Sequence, residues 1–315
     1  MLDLQLSLAG MIILCVIAAT GGAELQKKAA RGIVIASLAG VCGLMAVYLI
    51  WVWDRPLLSR LLPFSGAIIL GNWLPVSGSF FVGICLRTKR VALARRIFLT
   101  TLMAGLCSYS LVRPLLGDAP RCLPLMHDQL LDFQTTDSTC SVACAAALLR
   151  IHGISATEGE LAELCLTRRG THWLGVYRGL KLKTAGTEWD VVAEEIPATE
   201  LVRGRPPLGI LSMTFGPESA ARAAESGFGT HVGHSVVSLG HCQHAGLTVF
   251  DPSPDYGIEF WDSTVLQDID VCILLRLVSR RGSPSPRFDI AAYGQPYWKN
   301  PRFAQRDELF ARHGE

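Results

Sequence analysis

Several patterns are missing from the sequence, and each absence removes a class of function. No Gly-x-x-x-x-Gly-Lys-Ser/Thr run occurs in the 315 residues, so the chain carries no phosphate-cradling P-loop. The ten cysteines include no Cys-x-x-Cys pair and no regular framework. A formal net charge of +2 leaves no basic excess with which to hold nucleic acid. There is no internal repeat. The only charged side chain ahead of the first apolar run is Asp3, so a secretory signal would lack its basic start. The first three apolar runs contain no Asp, Glu, Lys or Arg. Intramembrane charge is the usual mark of an ion or substrate path, so these runs read as an anchor rather than a transport route.

What the chain does have is an unevenly placed excess of apolar residues. Half of its residues are hydrophobic, with a mean hydropathy of +0.33. Most of that excess precedes residue 117. Four transmembrane spans are expected in a helical region 1–116, near 4–23, 32–53, 61–86 and 97–116. Tyr48, Trp51 and Trp53 end the second run as an interfacial aromatic belt would. Asn72 and Pro75 interrupt the third, where a kink or break is expected. Lys27, Lys28 and Arg31 lie in the first connection; Arg87, Lys89, Arg90, Arg95 and Arg96 lie in the third. The second carries only Arg55 and Arg60. The basic loops should be cytoplasmic, which puts both termini, and the region after the fourth span, on the extracytoplasmic side.

Gly117-Asp118-Ala119-Pro120-Arg121 is turn-rich and opens a second domain, 117–279. Helices are expected from Cys140 to about His152, over Leu161–Leu166 and over Trp173–Leu182. Strand patterns follow at Asp190–Ala193, Leu208–Met213, Ser235–Leu239, Leu247–Asp251 and Val271–Leu277. Helices first and strands after give an α+β domain. Residues 280–315 show little period and read as a disordered tail, with a short helix possible at Ala304–Arg312.

The chemistry gathers in this second half. Cys140 follows the polar run Gln134-Thr135-Thr136-Asp137-Ser138-Thr139 at a helix start, where the helix dipole and free N–H groups favour a thiolate. Most lone cysteines on apolar helices are simply buried, and Cys144, one turn on, is read as packing. His234 precedes an alternating strand and is the candidate general base; His231, three residues earlier, is its rival. Asp251 follows His234 by seventeen residues, a spacing that suits a β-hairpin return, and would orient the imidazole. Asp251-Pro252 is equally a common strand terminator, and Asp255 and Asp262 are weaker stand-ins. Gln134, six residues before Cys140, is the candidate oxyanion donor. His231, His234, His241, Cys242 and His244 also raise a zinc reading, but a whole strand separates the pairs. No metal and no cofactor is assigned.

At Gln134, Cys140, Cys144, Gly233-His234, Val236-Val237 and Asp251-Pro252 the sequence resembles the double-glycine leader peptidase domain of bacteriocin-processing exporters, over roughly Cys122 to Leu277. It departs from that pattern at Thr139 and Ser141, which replace an acidic residue and a glycine beside the nucleophile, and at Ser235, which replaces a large residue. The resemblance implies a papain-like cysteine peptidase fold with a Cys140-His234-Asp251 triad and Gln134 at the oxyanion. It also implies a peptide or leader-bearing precursor cleaved after small residues, with membrane lipid around the helices and a separate exporter as partner. Two alternatives use the same fold: a non-catalytic peptide-binding module, and an acyl-transfer or deamidation enzyme, since hydrolysis and transfer share the acyl-thioester.

Overall fold

The computed structural model describes residues 2–89, 91–123, 130–203, 206–214, 233–242, 246–267, 269, 271–286 and 288. The chain divides into two compact units at Gly117/Asp118.

The first unit is helical. It comprises α1 (Leu2–Lys28), α2 (Arg31–Trp51), the short α3 (Leu57–Leu61) and α4 (Ala67–Leu70), α5 (Leu74–Arg87) and α6 (Leu93–Val112). By length and composition four stretches could cross a membrane: Leu2–Lys28, Arg31–Trp51, Ala67–Arg87 and Leu93–Leu115. The third sequence run is not one helix. It is cut after Leu61 and again between Leu70 and Leu74, and Pro75 sits in the first turn of α5, where its missing N–H costs no helical bond. The polar groups at that break are bonded in part, the Asn72 Oδ1 being buried without a partner among the described residues. Asn72 donates through Nδ2 to the carbonyl and hydroxyl of Ser110 at 3.0 and 2.9 Å, and the Tyr48 hydroxyl bonds the Gly71 carbonyl. The fourth helix begins earlier than its apolar run, so Arg95 and Arg96 lie in its first turn and not in the loop.

Helices α1 and α5 approach closely because glycine permits it. A Cβ on Gly83 would collide with the Ala19 carbonyl, and one on Gly22 with that of Phe80. Small residues at such crossings let backbones meet where lipid supplies no hydrophobic drive. Side chains on the outer surfaces, such as Ile33, Ile35, Leu44, Val47 and Ile50 of α2, remain exposed within the unit.

The second unit is α+β. Helices α7 (Cys140–Ile151), α8 (Glu158–Leu164) and α9 (Trp173–Lys183) come first. Then follow β1 (Trp189–Ile196), α10 (Ala198–Arg203), β2 (Gly209–Thr214), β3 (Gly233–Cys242), β4 (Gly246–Asp251), β5 (Gly257–Trp261), α11 (Ser263–Leu266) and β6 (Val271–Ser279). The strands form one antiparallel sheet in the order β1-β6-β2-β3-β4-β5. Leu211, Met213, Val236, Leu247, Val249, Cys272 and Leu274 cluster with Leu201 of α10 and Leu266 of α11. Residues of the opposite parity, Ile210, Val237, Phe250 and Leu275, are buried as well, so the central strands are covered on both faces. Helix α7 packs on β2, β3 and β4, and every residue from Ser141 to Leu149 is buried. Its run of alanines suits a helix closed in on all sides. The Thr157 hydroxyl accepts the Glu160 N–H at 3.2 Å and caps α8. Strand β5 does not appear among the sequence expectations. Of the tail, residues 287 and 289–315 lie outside the described residues.

The α1–α5 crossing yields a matched pair of substitutions. Gly83→Ala should destabilise the helical unit by about 1–3 kcal/mol through overpacking. Gly10→Ala, where a Cβ meets nothing within 4 Å, should be neutral or slightly stabilising. Thermal unfolding of the detergent-solubilised chain separates the two, and equal melting temperatures would contradict the close crossing.

Candidate active site

Cys140 is the first residue of α7, with Thr139 at the N-cap. Thr139 does not cap in the usual way. Its hydroxyl turns back to donate to the Thr136 carbonyl at 2.8 Å and accepts the Thr136 N–H at 3.2 Å, closing the preceding loop on itself. The first N–H groups of α7 therefore receive no cap from that side chain, and the positive end of the helix faces the sulfur. A second brace comes from α8. The Glu158 carboxylate accepts the Thr135 N–H at 2.9 Å and the Thr135 hydroxyl at 2.8 Å, pinning the strand of chain between Gln134 and Cys140. At the far end of α7, Arg150 pairs with Asp132 and so ties the helix to the segment that leads into the loop.

His234 and Asp251 come from one antiparallel hairpin. His234 is the second residue of β3, Asp251 is the last of β4, and the pairing of Val237 with Phe250 sets the register. The start of one strand thus lies beside the end of the other, as the seventeen-residue spacing requires. His234 Nε2 lies 2.7 Å from Asp251 Oδ2. The other carboxylate oxygen accepts the Ser253 N–H at 2.8 Å, and the carboxylate is 1% exposed. With Nε2 committed to Asp251, Nδ1 is the nitrogen left to serve the thiol, and Cys140 and His234 are close enough for each to shift the other's ionisation.

These contacts shift both ionisations. Burial alone would push the Cys140 thiol up, but the hydrogen bond and charge of His234 outweigh it, with smaller help from the Ser141 hydroxyl and the Ser235 backbone. The thiol ends below its ordinary value. Burial likewise disfavours the imidazolium, but the charge and hydrogen bond of Asp251, joined by Cys140, raise His234 to about 10. Each shift favours the charged form, thiolate for Cys140 and imidazolium for His234.

Gln134 is beside this group through its backbone, whose N–H donates to the Pro252 carbonyl at 2.7 Å, one residue past Asp251. Its side-chain Oε1 is buried without a hydrogen-bond partner among the described residues. Cys144 is fully buried, its thiol 3.3 Å from the Ser235 carbonyl, and burial pushes it well above the ordinary thiol range. Asp255 is exposed in the turn after β4, and Asp262 accepts the Val265 N–H at the start of α11. His231 and His244 lie outside the described residues, and among those described no three His, Cys, Asp or Glu cluster as metal ligands. Glu158, Ser141 and Ser235 did not stand out in the sequence as parts of a site. Glu158 was visible only as a helix-start glutamate, and the two serines only as departures from a pattern.

No family model matches the chain, and no curated protein matches it. Among solved structures, the peptidase domain of Streptococcus ComA, a bi-functional ABC transporter involved in a quorum sensing pathway, is similar at 19% identity. It covers 48% of this chain and 98% of that one, with a TM-score of 0.37. A double glycine motif protease from an AMS/PCAT transporter, solved in complex with the leader peptide, is similar at 14% identity. It covers 52% of this chain and 94% of that one, with a TM-score of 0.34.

The high His234 value depends on Asp251, which gives a signed expectation. Asp251→Asn removes the negative charge that favours the imidazolium and leaves burial, which opposes it, so the His234 pKa should fall from about 10 toward or below the usual imidazole range. Hydrogen–deuterium exchange at the imidazole C2 position, followed against pH by mass spectrometry of the His234 peptide, reads the midpoint directly. An unchanged midpoint would mean that Asp251 does not govern the ring.

Proposed function

We propose that this chain is a membrane-anchored cysteine peptidase that cleaves a peptide or leader-bearing precursor, with Cys140 as nucleophile. The observation that carries the reading is the imidazole of His234, hydrogen-bonded to a buried carboxylate and near enough to a thiol at a helix N-terminus for each to shift the other's ionisation. A structural histidine or a packing cysteine needs only one of these partners; a nucleophile and its base need both.

In the proposed reaction the Cys140 thiolate adds to the carbonyl carbon of the scissile bond. The negative charge passes to the carbonyl oxygen, where the Cys140 N–H at the uncapped start of α7 and the Gln134 side-chain amide stabilise it. The imidazolium of His234 gives its proton to the departing nitrogen as the C–N bond breaks, leaving an acyl-thioester on Cys140. Water then adds to the thioester carbonyl while His234 takes its proton, and expulsion of the thiolate releases the new carboxyl end and restores the starting ion pair. Asp251 holds the ring by Nε2 throughout, presenting Nδ1 to the sulfur and the leaving group. The fold we assign to this unit is papain-like. Its substrate, on the resemblance of the motif residues, is a leader ending in small residues, delivered with the help of a separate exporter.

The distribution of Lys and Arg supports placing this unit outside the cytoplasm. In the sequence, Lys27, Lys28, Arg31, Arg87, Lys89, Arg90, Arg95 and Arg96 flank the first and third connections, and Arg55 and Arg60 the second. An extracytoplasmic thiol must avoid oxidation to a disulfide. Cys165 and Cys272 are buried, in separate elements, which removes them as ready partners for Cys140.

Cys140→Ala should leave a folded chain with no measurable hydrolysis of Gly-Gly-containing test peptides. Gln134→Ala should lower kcat by roughly 10²–10³-fold with little change in KM, the signature of a lost oxyanion donor. Steady-state kinetics on the purified full chain measures both. Turnover near the native rate in Cys140→Ala would end the peptidase reading, and a native rate in Gln134→Ala would limit that residue to holding the turn.

A further inference from the structure

The residues directly after the nucleophile and directly after the base touch each other. Ser141 follows Cys140 and Ser235 follows His234, and their hydroxyl oxygens are 2.8 Å apart in a site where the two residues are 5% and 2% exposed. The same Ser141 oxygen lies 3.9 Å from the Cys140 sulfur, and the Ser235 carbonyl accepts the Cys144 thiol at 3.3 Å. One residue of β3 is thus bonded to both the first and the second turn of α7. No apolar side chain at position 141 or 235 could form this link.

We propose that the Ser141–Ser235 hydroxyl pair positions and tunes the nucleophile: Ser235 fixes the Ser141 hydroxyl so that its single proton is offered to the Cys140 thiolate. The inference rests on Cys140 acting as a thiolate, as in the peptidase reading, and adds two residues to it. The direction follows from proton counting. Each hydroxyl has one proton to donate. When Ser235 donates to Ser141, the Ser141 proton is left without another use, and the nearest acceptor in this pocket is the sulfur. At 3.9 Å that bond is weak for a neutral thiol. A thiolate is a stronger acceptor and draws the hydroxyl in, so the interaction favours the ionised form over the neutral one. The lowered Cys140 value carries a contribution from Ser141 in this sense. The link also fixes the sulfur-to-imidazole separation, because it joins their immediate neighbours across the α7–β3 contact. Both serines are departures from the peptidase pattern noted in the sequence, and a glycine at 141 with a large residue at 235 could not make this pair. The two departures therefore meet in one contact.

The test is the pH dependence of Cys140 alkylation by iodoacetamide in the full chain in detergent, read on the Cys140 peptide by mass spectrometry. Ser141→Ala should raise the midpoint by about one pH unit, the size expected for one hydrogen bond to a charged group, and slow alkylation roughly tenfold below the midpoint. Ser235→Ala should raise it by less, and the double variant by no more than Ser141→Ala, since Ser235 acts through Ser141. Ser141→Thr keeps the hydroxyl and should stay near the native midpoint. Native midpoints in folded Ser141→Ala and Ser235→Ala would overturn the proposal, and so would a Ser141→Thr midpoint as high as that of Ser141→Ala. Should Ser141→Ala fail to fold, an unshifted Ser235→Ala overturns it alone. Because alkylation needs no substrate, the two readings separate. Shifted midpoints without any peptide hydrolysis would sink the peptidase and keep the serine pair, whereas hydrolysis with unshifted midpoints would do the reverse.

Discussion

A carboxylate with 1% exposure is costly unless something nearby carries the opposite charge, and in this unit that something is His234. The Asp251 contact sets what the rest of the second unit must do. The ring has to sit within hydrogen-bond reach of a strand terminus seventeen residues on, which the β3–β4 hairpin supplies. The second carboxylate oxygen needs its own donor, which the Ser253 N–H in the following turn supplies. The start of α7 brings a thiol close enough to this ring for each to shift the other's ionisation. Charge thus alternates along a line from Asp251 through His234 to Cys140 and the helix dipole, each member favouring the ionised form of the next. Removing one member leaves the next buried and unbalanced, which is why such a chain of groups behaves as a unit and not as a sum of pairs.

The apparatus behind this line is mechanical. Helix α7 is buried from Ser141 to Leu149 and is tied at three places: to β3 through Ser235, to the preceding segment through Arg150 and Asp132, and to α8 through the Glu158 brace on the loop. Thr139 spends its hydroxyl on the loop and not on capping, which leaves backbone donors at the helix start for use by a ligand. The helical unit follows different rules. Its first three apolar runs hold no charged side chain, Asn72 reaches across to Ser110 of α6, and the crossing of α1 with α5 rests on glycine. The two units thus differ in what holds them, apolar helices that could span a membrane in one and a buried charged cluster in the other.

Much of this was legible in the sequence, for identifiable reasons. Long apolar runs have few alternatives to helix, so α1, α2 and α6 stand close to where hydropathy places them, and the break near Asn72 and Pro75 follows from the residues themselves. The alternating run after His234 and the apolar run ending at Asp251 are β3 and β4. Strand β5 was missed because Asp251-Pro252 looks like an end of structure, although Ile258, Phe260 and Trp261 after Gly257 carry a strand composition. The extra division of the third run into α3, α4 and α5 depends on tertiary partners such as Ser110 and Tyr48 that no local pattern reveals. The braces were illegible for the same reason. Glu158 acts 23 residues from Thr135 and Ser235 acts 94 from Ser141, and a single sequence does not encode such pairings in any periodicity. His234 and Asp251, which the structure pairs, stood out because their chemistry is rare and ordered along the chain; the bonds made by Ser141, Thr135 and Glu158 did not, because serine, threonine and glutamate are common and take their meaning from position.

The account stands or falls on whether Cys140 is an activated nucleophile that meets a peptide carbonyl. The most direct measurement is covalent labelling of the intact chain with a peptide ending in Gly-Gly and bearing a thiol-reactive electrophile in place of the scissile bond, with the modified residue located by mass spectrometry. The account predicts stoichiometric labelling at Cys140 that is lost in His234→Ala, while a scrambled-peptide reagent of equal reactivity labels it far more slowly. Equal labelling by both reagents, or labelling that persists unchanged without His234, would show an ordinary thiol and contradict it.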